Sequence, residues 1–141
     1  MKANNKSNQN LLVCTSALFL TIVIHAFYVQ NAVYHHLFLG VSVLSLAFHG
    51  WPDRQQRDPP PLLCLADKAL AHVVFIIALL DMIAHLRHMW YLFVMPAAIL
   101  VLWILEHMQN SRHLRVELHI ALHLAGLCTV HLLLWYLPSS K

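Results

Sequence analysis

The segment His119-Ile-Ala-Leu-His123 carries two histidines one helical turn apart inside an apolar run. Residues i and i+4 share one helix face, about 6 Å apart along the axis, so both imidazoles can reach one metal ion. A histidine within a bilayer is costly and usually faces a partner, a cavity or a cofactor. What else could complete such a site depends on where the remaining polar residues of the chain fall.

The 141-residue chain is 60% hydrophobic and only 11% charged, with twelve histidines against six acidic residues. Five runs approach the roughly 20 apolar residues that cross a bilayer. The expected fold is therefore all-α, a polytopic transmembrane bundle of five helices. Residues 1–10 read as a disordered polar N-terminus, and 11–137 as one transmembrane domain. The spans fall at about 11–29, 33–49, 62–84, 90–106 and 116–137, with Pro96 as a candidate kink in the fourth. The first span ends in Ile24-His-Ala26, which weakly resembles a signal-peptide cleavage site, yet no soluble segment follows, and it reads as a retained helix. Three consecutive prolines, Pro59 to Pro61, mark the longest connection.

Five spans place Lys2, Lys6, Arg54, Arg57, Lys68, Arg112 and Arg115 on one side, and only Arg87 and Lys141 on the other. The excess of basic residues makes the first side cytosolic, with the N-terminus inside. Tyr28, Tyr34, Trp90, Tyr91, Trp135 and Tyr136 then fall at the opposite interface as an aromatic belt. The formal charge of +3 is spread over loops and indicates no nucleic-acid partner. Cys14, Cys64 and Cys128 have no paired spacing, so neither a disulfide framework nor a thiolate zinc site is suggested.

With these spans, His49 ends the second helix on the cytosolic side and Ser45 lies one turn before it. Asp67 enters the third helix from that side, and His119 and His123 enter the fifth. Three imidazoles with an open fourth position are the ligand set of a hydrolytic zinc site. Zinc lowers the pKa of bound water to roughly 7, and a nearby aspartate can orient that water or take its proton. Taken alone, each residue has a plainer reading. The paired histidines could bond neighbouring helices, His49 could touch headgroups, Asp67 could pair with Lys68 or Arg115, and Ser45 could pack helices.

In order and depth, Ser45-Leu-Ala-Phe-His49, Asp67 and His119-Ile-Ala-Leu-His123 resemble the CREST superfamily of alkaline ceramidases, progestin and adipoQ receptors and hemolysin III proteins. The resemblance implies that His49, His119 and His123 bind Zn2+, that Asp67 works on the zinc-bound water, and that Ser45 stabilises the site by hydrogen bonding. It also implies a membrane lipid substrate, a ceramide or related lipid amide or ester. Members of that superfamily usually have seven helices against five here, and a homodimer is one way to complete a pocket.

Two other functions account for part of the pattern. A b-type cytochrome would use intramembrane bis-histidine haem ligation, drawing on the outer-face residues His25, His35, His36, His85, His88 and His131. A zinc-stabilised receptor or scaffold would bind the metal without turnover. For Asp81 and His85, again one turn apart, a mutual hydrogen bond is the simple expectation.

Overall fold

The computed structural model describes residues 2–51, 60–85 and 90–137. Its elements are α1 (Lys2–Tyr28), α2 (Ala32–His49), α3 (Pro61–His85), a 3-10 turn (Trp90–Phe93), α4 (Val94–Met108) and α5 (Arg112–Tyr136). Five helices are long and apolar enough to cross a membrane. The bundle is all-α, with no strand among the described residues.

The expected boundaries shift for local reasons. Helix α1 starts at Lys2, inside the stretch read as a disordered N-terminus, and its membrane-length part begins at Asn10. No proline or glycine interrupts residues 2–10, so a helix nucleated in the apolar part extends through them. Pro61 opens α3 at the first helical position, where its missing N–H costs nothing. Pro96 lies in the first turn of α4, directly after the 3-10 turn, so the expected kink is instead a helix start.

A tight reversal joins α1 to α2. Gln30 adopts the left-handed conformation (φ 58°), and the Gln30 and Asn31 amides bond back to the Phe27 and Ala26 carbonyls. This is a Schellman closure. The Asn31 side chain then accepts from the Tyr34 amide and caps α2. The hairpin brings together the stripe Leu12, Thr15, Ser16, Phe19, Ile22, Val23 and Ala26 of α1 and the face of α2 that runs from Tyr34 to His49. Small and hydroxyl side chains on both helices allow close approach.

Around this hairpin the helices neighbour one another in the order α4, α5, α1, α2, α3. Helix α3 packs on α2 and touches α5 only lightly, leaving a cleft towards α4. The His72 and Trp103 rings cross that cleft edge to face, with centroids 6.0 Å apart. Large apolar side chains such as Ile24, Phe27, Leu62 and Leu80 remain exposed on the outside. That is the surface of a chain whose solvent is lipid.

One member of the expected aromatic belt is not at the surface. Tyr34 is 1% exposed and donates its hydroxyl to Asp81 Oδ2 at 2.7 Å. Tyr28, Tyr91, Trp135 and Tyr136 are exposed. A phenol buried in the bundle needs a partner for its O–H, and Asp81 supplies it. The expected Asp81–His85 contact is correspondingly altered: His85 Nδ1 donates to the Asp81 backbone carbonyl instead. Arg54, Arg57, Arg87 and Lys141, which entered the reading of topology, and His88, one of the outer-face histidines, lie outside the described residues.

Candidate metal centre

The last residue of α2 and the first turns of α5 meet at one end of the bundle. His49, His119 and His123 each offer one ring nitrogen, and the three atoms lie within 4.8 Å of one another. Ring centroids are 5.2 Å apart for His49–His119, 5.4 Å for His49–His123 and 4.7 Å for His119–His123. The Nε2 atoms of His49 and His119 are 3.4 Å apart. Two nitrogens on a tetrahedral zinc, each bonded at about 2.0–2.1 Å, are separated by about 3.3–3.4 Å. His49 is buried, and the two α5 histidines are half-buried.

The bonds behind the two α5 rings fix which of their nitrogens keeps its lone pair. Glu106 Oε1, on α4, lies 2.9 Å from His119 Nδ1. An ionised carboxylate only accepts, so Nδ1 carries the proton and Nε2 keeps its lone pair. Thr15 Oγ1, on α1, lies 3.1 Å from His123 Nδ1 and donates its single proton to the Leu12 carbonyl at 3.0 Å. His123 must then donate from Nδ1, which again leaves Nε2 as the lone-pair nitrogen. Carboxylate and hydroxyl partners of this kind orient metal-binding histidines and raise their basicity. The donor set therefore fits a small divalent ion.

Ser45 is buried one turn from His49 and pairs with Ser16 Oγ across the α1–α2 interface at 2.9 Å. Ser16 spends its own proton on the Leu12 carbonyl, so Ser45 is the donor. Asp67 is half-buried and is not one of the three grouped ligands. It lines a cavity of about 570 Å³ together with Ser45, His119, His123 and Glu106. Beyond this polar end the walls are apolar, including Phe19, Phe38, Val74, Leu122 and Val130.

Three of these partners were not singled out from the sequence: Glu106, Thr15 and Ser16. The available signal was an acidic residue inside the fourth apolar run and a hydroxyl pair inside the first. Removing Glu106 should be felt at the metal. Glu106→Ala is expected to weaken zinc affinity about 10- to 100-fold, measured by competition with a chromophoric chelator. An affinity equal to wild type would show that the carboxylate does not orient His119.

Among the described residues, the histidines at the other end of the bundle do not form a comparable group. His25 Nδ1 and His131 Nδ1 are 2.8 Å apart, with rings stacked at 19°. Thr21 Oγ1 gives its proton to the Leu18 carbonyl and so accepts from His131 Nε2. His35 and His36 bond to the Val23 and Ala32 carbonyls. These contacts satisfy ring nitrogens within the bundle. The chain matches no family model, no curated protein and no solved structure.

Proposed function

We propose that this protein is a zinc-dependent intramembrane hydrolase of lipid amides or esters, ceramide-like in its chemistry and akin to the CREST superfamily. The observation that carries the reading is the convergence of three imidazole nitrogens within 4.8 Å beside an apolar cavity. A zinc ion held by His49, His119 and His123 would supply Lewis acidity and a water acidic enough to deprotonate near neutral pH. Glu106 and Thr15 hold the two α5 rings in register. Asp67 takes a proton from the attacking water and passes it to the leaving nitrogen or oxygen, yielding a fatty acid and an amine or alcohol. Ser45 ties the polar end to α1, and the apolar walls receive the acyl chain.

A single chain already builds this cavity, so the reading requires no second copy. The excess of basic residues supports a site that faces the cytosolic leaflet. Haem is less well served: the Nε2 atoms of His49 and His119 lie 3.4 Å apart, a separation that would suit neighbouring ligands of one small ion better than two ligands on opposite faces of an iron.

Detergent-purified protein incubated with N-acyl sphingosine and with a matched acyl ester tests the proposal, with fatty acid release followed by mass spectrometry. Release that a chelator abolishes and added zinc restores is the expected result. Zinc-loaded protein that releases nothing from either class would overturn the hydrolase reading in favour of a scaffold. A strong Soret band would favour haem.

A further inference from the structure

The cavity is lined by two cationic side chains, both exposed, that are not among the three grouped ligands. On α3, Lys68, Ala71, His72, Phe75 and Ala78 all line it, a spacing of three and four that marks one helix face. Lys68 is therefore on the cavity face of α3. On α5 the corresponding face is Arg115, His119, Leu122, His123 and Gly126. Arg115 is one turn before His119 on the ligand face itself, about 5–6 Å further towards the helix start.

Arg115 is also held in place. Its Nε and Nη2 donate to the Gln109 carbonyl at 3.2 and 2.6 Å, where α4 ends. That grip fixes the guanidinium plane and leaves Nη1 with both its hydrogens. Neither Lys68 nor Arg115 forms an ion pair among the described residues, where the pairs are His113–Glu117 and His119–Glu106. Two carboxylates share the cavity with Lys68 and Arg115: Glu106, which bonds His119 and on which the charge of Lys68 acts, and Asp67, which has a partner of its own.

We infer that Lys68 and Arg115 form an oxyanion-binding subsite for the headgroup of the lipid, so that the preferred ligand is an acyl amide or ester bearing a phosphate or carboxylate close to its acyl linkage. This rests on the proposed function for the position of the acyl linkage, beside His119 and His123. An acyl chain in the apolar part then leaves the headgroup one turn nearer the start of α5, at the level of Arg115, with Lys68 lining the same cavity from α3. Both side chains are exposed at the polar end of the cavity, so their pull on an anion is a surface attraction that salt screens. A planar guanidinium and a compact ammonium together suit an oxyanion with several acceptor atoms.

Binding, rather than turnover, tests this subsite. Two matched pairs of ligands are titrated in neutral detergent: N-dodecanoyl-glycine against its neutral glycinamide, and N-dodecanoyl-ethanolamine phosphate against N-dodecanoyl-ethanolamine. Wild type is expected to bind the charged member of at least one pair about tenfold more tightly, a preference that weakens as salt rises. The pair that shows it identifies the anion. In Lys68→Gln/Arg115→Gln the preference should fall to about twofold or less while affinity for the neutral members is unchanged, which also shows that the variant is folded. Equal binding of charged and neutral ligands by wild type, or a preference that survives in the double variant, would overturn the subsite. If wild type prefers the anion yet hydrolyses neither lipid class, the subsite stands and the hydrolase reading falls.

Discussion

Wild-type protein purified without chelators is expected to hold about one zinc per chain, and a His119→Ala/His123→Ala variant less than about a tenth of that. The size of the effect follows from geometry. Both residues lie on one face of α5, and together with His49 they supply every imidazole in the cluster. Removing two of three ligands leaves one nitrogen, which does not retain zinc through purification. Elemental analysis by mass spectrometry reads the ratio directly. A His36→Ala/His85→Ala variant serves as the control, because those rings are exposed and bond only to carbonyls of their own helices. Its zinc content should equal that of wild type. Because an ion bound only by the folded state stabilises it by mass action, chelation should lower the thermal midpoint of wild type and leave that of the His119/His123 variant unmoved. Wild type without zinc, purified under conditions that retain metals, would reject the metal centre.

Asp67→Asn is expected to lower turnover of a hydrolysed lipid about 10²- to 10⁴-fold, the range for loss of a positioned general acid–base group. The substitution preserves shape but removes the negative charge and with it the ability to accept a proton. Asp67 lines the cavity but stands outside the histidine trio, so zinc content should remain at the wild-type level. Little change in KM should accompany the loss, because the residue acts on the proton rather than on the acyl chain. The combination separates three roles. Retained zinc with lost turnover marks a proton-transfer residue. Lost zinc would make Asp67 a ligand. Unchanged turnover with retained zinc would remove Asp67 from the reaction and favour a receptor or scaffold.

These two tests draw on different parts of the molecule. His119 and His123 were legible in the sequence because their relation is local: four residues on one helix fix a common face. Their meeting with His49 required only that α2 and α5 both bring that end of the bundle to one level, which follows from counting apolar spans. Glu106 is different. It ends the fourth apolar run, but only the packing of α4 against α5 aims its carboxylate at His119 Nδ1. Thr15 likewise reaches His123 only because α1 lies against α5.

What the sequence determined alone is the class of the molecule and the axial depth of its polar residues. Run length, proline positions and i, i+4 spacing are properties of single segments, and they locate five helices and the histidine trio. What only the tertiary structure decided is rotation and neighbour order: Tyr34 turned inward onto Asp81, Ser45 bonded to Ser16, and Lys68 lining a cavity beside the histidine cluster. The reason lies in the solvent. A helix in water is oriented by its one apolar face, whereas a helix in lipid is apolar all round and gains nothing from hiding a particular side. Its rotation is set by small-residue contacts and hydrogen bonds to neighbours far away in the chain, and those appear only when the bundle is assembled.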